Sequence, residues 1–261
     1  MTPFYFGTQQ RRLFGVYTAA RISGSRRAVV ICNPWGQEYL RSHRSIKRMA
    51  IQLASAGLHA LRFDYFGTGD SAGDMTEASM ADWEADTRTA IEELQATTQA
   101  REVHLIGMRL GGWIAARVAA SQSSDIDSLV LWDPIVSGPR YLSELMRSSL
   151  EQDFPQEAPT ARSPDAGGGF EIMGFPLHAG LADEIAAIDL AEPLSRVRSP
   201  TRIAISKSDP AGLLAQGCGG GAFGAATVEM VDDEPCWINQ PSLGVGAVPT
   251  ALIRRVVSWL Q

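Results

Sequence analysis

The chain predicts an α/β domain: a mostly parallel sheet covered by helices on both faces. Three observations predict it. Short apolar runs of strand length alternate with longer stretches of helical spacing. Several of those runs are continuous rather than alternating, as strands buried on both faces are. A third stretch, "HLIGMRLGGWIAA" (104–116), carries an apolar strand into Gly107, then a turn, then a helix rich in Gly and Ala. With 261 residues, 45% hydrophobic and 20% charged, the chain can build one such domain with a substantial core.

The elements follow in order. Residues 4–6 and 13–18 predict an opening hairpin. "RAVVICNP" (27–34) is a continuous apolar run closed by Pro, hence a buried strand. "HRSIKRMAIQLASAG" (43–57) has helical apolar spacing and a terminal Gly. "HALRFDY" (59–65) predicts a strand, followed by the turn-rich "FGTGDSAG". "MADWEADTRTAIEELQA" (80–96) predicts an amphipathic helix, 103–107 a strand, 110–120 a small-residue helix and 128–134 another strand. Strands at 201–206 and 226–231 and a helix at 248–260 close the chain. Residues 137–190 break the rhythm with Pro and Gly clusters ("SPDAGGGF") and helix-like pieces ("YLSELMRSSLEQ", "LADEIAAIDL"), and are expected to form a cap over the C-terminal ends of the strands. "QGCGGGAFGA" (216–225) is a second Gly-dense loop; both Gly runs read first as turn chemistry and second as lid hinges. There is no internal repeat and no sharp domain boundary.

Composition excludes several classes. The formal net charge is −6 and the pI about 5.3, without the basic face of a nucleic-acid binder. No run has signal-peptide character and no apolar stretch is long enough to span a membrane, so a cytoplasmic protein is expected. Cys32, Cys218 and Cys236 stand at unrelated spacings, neither a disulfide framework nor a zinc pattern. No cofactor and no metal is expected, and the oligomeric state is left open.

The turn at 107–111 has the grammar of a nucleophile elbow, G-x-S-x-G, but reads Gly107-Met108-Arg109-Leu110-Gly111. A guanidinium stays protonated and offers no lone pair, so Arg109 cannot attack. Four stretches now carry a family resemblance: "VICNPWGQEYLRSHR", "LRFDYFGTGDSAG", "LIGMRLGG" and "AISKSDPAG". The order of elements and these stretches resemble the α/β-hydrolase fold, most closely the S33-type, serine aminopeptidase-like hydrolases. More narrowly, the chain is similar to small hydrolase-like proteins found with exosortase and acyl-carrier-protein systems, whose elbow also reads G-x-R-x-G. The resemblance implies a sheet of about eight strands with a small cap, an oxyanion loop after the third strand, and a triad acid at Asp209. It also implies a triad histidine in 232–247, where "DDEPCWINQPSLGVGA" has none; the histidines are His43, His59, His104 and His178.

The elbow keeps its backbone requirements. Leu110 N–H and the backbone at Trp35–Gly36 are expected to form two oxyanion-hole donors. A cation at the start of a helix is unfavourable by roughly 0.3–1 kcal/mol unless an anion stands beside it. The anion is either internal (Asp209, Glu38 or Asp133) or a ligand's carboxylate or phosphate. Three readings stay open: a structural pair with Asp209 in a vacated triad pocket, an anion-binding site, or a side chain pointing into solvent. Glu38 and His43 are candidate general bases, weighed against turn, capping and surface roles. Asp64 and Asp70 are expected to stabilise their turn. Asp133 stands at an alternative acid position of the fold. Cys236 is weighed as a nucleophile against buried filler. Trp35, Tyr65, Trp132 and Trp237 are expected in pocket walls or core. Two functions follow. One is an enzyme on acyl esters or thioesters, including acyl-carrier-bound ones, with a non-standard site using Arg109, Asp209, Glu38 or His43. The other is a catalytically degenerate protein that binds a small acyl or anionic ligand, or a partner protein.

Overall fold

A computed structural model describes residues 1–121, 125–151, 169–207, 223, 225–238 and 248–261. The strands are β1 (Thr2–Gly7), β2 (Arg12–Thr18), β3 (Arg27–Cys32), β4 (His59–Phe63), β5 (Glu102–Met108), β6 (Ser128–Trp132), β7 (Phe170–Ile172), β8 (Phe175–Leu177), β9 (Thr201–Ser206) and β10 (Thr227–Val231). The helices are α1 (Gly36–Ser55), α2 (Met80–Thr98), α3 (Leu110–Ser121), α4 (Gly138–Glu151), α5 (Ala179–Ala186), α6 (Ala191–Leu194) and α7 (Thr250–Ser258). Eight strands form one sheet in the order β1-β2-β4-β3-β5-β6-β9-β10. β1 and β2, and β2 and β4, pair antiparallel; every later neighbour is parallel.

The continuous apolar runs are two cores read alternately. In β3, Ala28, Val30 and Cys32 join the core under α2 and α3, while Val29 and Ile31 join the one under α1 and α7. β5 divides likewise: Val103 and Leu105 face one core, Ile106 and Met108 the other. Period-two side chains buried on both faces erase the polar alternation that marks a half-exposed strand.

Two expectations change. The helix expected from residue 43 starts at Gly36. Its first turns bury Gly36, Glu38, Ser42 and Ser45 rather than large apolar residues, so apolar spacing does not reveal them. Within 137–190, α4 and α5 match the expected helical pieces, and a short β7–β8 hairpin lies between them, turning through Met173 and Gly174 at φ +51° and +87°. Most of "SPDAGGGF" and "QGCGGGAFGA" lies outside the described residues. Among the described residues no helix is long and apolar enough to cross a membrane.

Candidate functional site

The site starts from the junction of β5 and α3. A Cβ on Gly107 would stand 2.4 Å from the Gly111 carbonyl oxygen, and one on Gly111 would stand 2.3 Å from those of Cys32 and Asn33. Only glycine permits so close a return of helix onto strand. Between them Arg109 has φ +51°, the left-handed region that a side chain adopts at a cost. Its N–H donates to the Trp132 carbonyl at 3.1 Å, and its own carbonyl accepts from Gly112 at 2.9 Å. The backbone therefore holds an elbow, and the side chain it presents is an arginine.

That side chain is 1% exposed. Its Nε donates to Glu38 Oε1 at 2.8 Å, one Nη to Glu144 Oε2 at 3.0 Å and the other to the Asp133 carbonyl at 3.4 Å. Tyr141 OH donates to the second oxygen of Glu38 at 3.0 Å, and Glu144 also meets Arg140 at 3.4 Å. The guanidinium carbon lies 3.7 Å from the centre of the Trp237 ring, in cation–π contact. Burial works against the charge of Arg109, but Glu38 and Glu144 hold its pKa above its already high value. Burial pushes the Glu38 carboxyl above the ordinary range, and Arg109 and Tyr141 pull against that shift.

The solvent-pointing reading of Arg109 is therefore corrected. Among the described residues, the internal anions Arg109 meets are Glu38, one of those expected, and Glu144, which was not. Asp209 lies outside the described residues. The gap beside Arg109, lined by Tyr141 and Glu144 among others, is about 10 Å³. That gap has room for one water at most.

Asp133 is fully buried at the end of β6 and sits at φ +42°. It accepts from Ser206 N–H at 2.8 Å, Ser206 Oγ at 2.5 Å and Trp237 Nε1 at 3.1 Å. Burial raises its pKa, and the Ser206 and Trp237 donors offset part of the rise. Carboxylate, ring N–H and elbow side chain thus follow one another in space as Asp133, Trp237 and Arg109. A tryptophan from the loop after β10 stands between the acid and the elbow. Trp237 Nε1 is a donor only and cannot take a proton from anything.

His43 has the surface contact weighed above. It lies in the second turn of α1, exposed, with Nδ1 at 2.7 Å from the Leu40 carbonyl, and does not face the elbow. His59 pairs with Tyr17 OH, His104 with Ser128 Oγ, and His178 caps α5 while meeting the Ala78 carbonyl. Asp64 is buried and accepts from Tyr39 OH at 2.8 Å and Asp70 N–H at 3.1 Å, the turn role expected of both residues. Burial pushes the Cys32 and Cys236 thiols up to about 12, so neither is a nucleophile at neutral pH. Glu144 and Tyr141 escape sequence reasoning, since nothing in an amphipathic helix points its acid at an elbow 35 residues away.

Leu110 starts α3, buried; Trp35, also buried, caps α1 at Gly36, whose φ is +62°. Beside Trp35 and Gly36 opens a cavity of about 290 Å³, whose walls include Tyr39, Leu40, Asp64, Tyr65, Met75 and Phe175. Trp35 and Phe175 meet edge to face, 6.0 Å between ring centres, so the β7–β8 hairpin closes one side. Trp35 and Tyr65 are wall residues as expected, while Trp132 is fully buried in the α1–α7 core.

Known proteins share this architecture. Est1E from Butyrivibrio proteoclasticus, solved with ferulic acid bound, superposes with a TM-score of 0.71 at 14% identity, covering 98% of this chain and 99% of that one. The thioesterase domain from the curacin biosynthetic pathway superposes at 0.61 with 14% identity, covering 100% and 99%. Mouse alpha/beta hydrolase domain-containing protein 10 superposes at 0.59 with 12% identity, covering 100% and 97%. Likeness at such identities shows the fold alone. In sequence, human palmitoyl-protein thioesterase ABHD10, mitochondrial, is 31% identical over 94 residues, 35% of this chain and 29% of that protein. An uncharacterized protein of Mycobacterium tuberculosis is 34% identical over 128 residues, 48% of this chain and 42% of that protein. The chain thus spans about three-tenths of the length of the thioesterase and about two-fifths of the other relative. The family profile described as serine aminopeptidase, S33, matches residues 24–164, more than half of the chain, across β3, α1, β4 and the elbow. This chain belongs to the serine aminopeptidase S33 family of α/β-hydrolase fold proteins.

Proposed function

We propose that this chain binds an acyl ester or thioester in the cavity beside Trp35 and forms no acyl-enzyme on its elbow. The observation that carries the reading is the closed cluster around Arg109. The position that presents a nucleophile in a working elbow instead presents a buried cation, neutralised by Glu38 and Glu144 and roofed by Trp237. Glu38, engaged by Arg109 and Tyr141, is no free base, and His43 is turned away. The site reads as catalytically degenerate, with Arg109 a strut between α1, the elbow and α4.

The cavity supports the ligand class. Its walls are mainly apolar and aromatic, as acyl pockets require. At about 290 Å³ it is far roomier than the one-water gap beside Arg109. A medium-length acyl chain fits, free or carried. The thioesterase relative matched in sequence agrees with that class. Residues 137–190 read as the cap whose hairpin covers this chain, and the setting remains cytoplasmic in our reading.

The test pairs labelling with binding. A fluorophosphonate probe is expected to leave every serine near the elbow unlabelled, because an unactivated hydroxyl is a weak nucleophile. Titration with decanoic acid methyl ester, followed by intrinsic tryptophan fluorescence, is expected to saturate. A stoichiometric serine adduct, or no saturation, would overturn the proposal.

A further inference from the structure

From the second to the fourth turn of α1, Leu40, His43, Arg44, Lys47 and Arg48 are all exposed. Their spacing of three and four residues puts them on one face of the helix. The face begins at the cavity: Leu40 is both a wall residue and 53% exposed. From Leu40 to Arg48 it runs about 12 Å along the helix axis, at 1.5 Å per residue.

Its charge is unbalanced. α1 holds four cationic side chains, Arg41, Arg44, Lys47 and Arg48, and one acid, Glu38, which is buried against Arg109. Among the described residues, no ion pair neutralises Arg44, Lys47 or Arg48. Like charges at i,i+3 and i,i+4 repel, and in a chain of net charge −6 nothing in the fold requires them. The cavity offers the complementary arrangement. Its charged wall residue is Asp64, buried and hydrogen-bonded, and the turn opposite α1 carries the exposed Asp70. An anionic group at the mouth is therefore repelled from one lip and drawn to the other.

We infer that α1 recognises a phosphorylated head on the acyl ligand: the chain lies in the cavity, and the phosphates lie along Arg44, Lys47 and Arg48. The ligand is an acyl thioester or ester joined to a phosphate-bearing carrier of the phosphopantetheine kind. The inference rests on the acyl cavity proposed above and adds what decides which acyl compounds enter it.

Decanoyl-coenzyme A and decanoic acid methyl ester are titrated into the wild type and into R44Q/K47Q/R48Q, whose three sites are exposed and whose melting temperature verifies its fold. The wild type is expected to bind the coenzyme A thioester about tenfold or more tighter than the methyl ester, three cations facing phosphate. That advantage shrinks as salt is raised. The variant loses it, while the methyl ester, which has no phosphate, binds both proteins alike. A decanoyl-phosphopantetheinyl carrier protein is titrated in parallel, and whichever donor has the larger charge-dependent advantage is the source of the head. An advantage that is absent, or that survives in the variant, overturns the inference and leaves the acyl cavity standing. Charge-dependent co-sedimentation with phosphatidylglycerol vesicles, with unchanged thioester affinity in the variant, also overturns it by assigning the face to a lipid surface. Failure of the methyl ester to bind the wild type sinks the cavity reading itself, however the charge series falls.

Discussion

Arg109→Ala separates a strut from a spare residue. The substitution leaves Glu38, 5% exposed, with Tyr141 OH but without its cation, and strips Glu144 of one of two arginines. Breaking a buried ion pair from one side costs about 3–5 kcal/mol, because the remaining carboxylate is desolvated and unpaired. Loss of the contact with Trp237 adds about 1 kcal/mol. At about 2–4 °C per kcal/mol for a chain of this size, the melting temperature should fall by on the order of 10 °C. The backbone contribution can be read separately. Arg109 sits at φ +51°, so Arg109→Gly should be less destabilised than Arg109→Ala by about 1 kcal/mol, although both lose the same ion pairs. Adding Glu38→Gln to Arg109→Ala should recover much of the loss, with a coupling of about 1–3 kcal/mol. Glu144→Gln should couple less, since Glu144 is 18% exposed and keeps Arg140. The assay is a thermal melt of wild type, singles and doubles at one pH and ionic strength. A melting temperature for Arg109→Ala within about 1 °C of wild type, or strict additivity with Glu38→Gln, would refute the strut.

Two further outcomes follow from the same geometry. Burial raises the folded pKa of Asp133, so its contribution is fully present below the unfolded carboxyl's ordinary range, near about 4, and is lost as pH rises through the folded value. The stability of wild type relative to Asp133→Asn, read from melts between about pH 3 and pH 7, should therefore fall as pH rises; a difference that grows with pH contradicts the assignment. Arg109→Ser alone should give no burst of nitrophenol from a nitrophenyl ester, because Trp237 stands where a base would act and cannot accept a proton. Any gain should need Trp237→His as well, which sets an imidazole against Asp133; a burst from the single variant would reveal a base elsewhere.

The sequence by itself determined most of the sheet and the limit on its chemistry. Strands buried on both faces are apolar over most of their length, so β3, β5, β6 and β9 stand out from the chain. Gly107 and Gly111 mark the close return of a helix onto a strand, and the arginine between them rules out a nucleophile there by its side chain alone. The start of α1 stayed hidden because the stripe it buries is Gly36, Glu38, Ser42 and Ser45, polar or small where periodicity needs large apolar residues. Only the tertiary structure decided what neutralises Arg109. A buried guanidinium requires carboxylates within hydrogen-bond reach, but that requirement does not say which ones. Glu38 is 71 residues away in sequence and Glu144 is 35, and they reach Arg109 because the β3–α1 turn and α4 converge over the same strand ends. Sequence separation carries no distance, and an ion pair is a matter of distance alone.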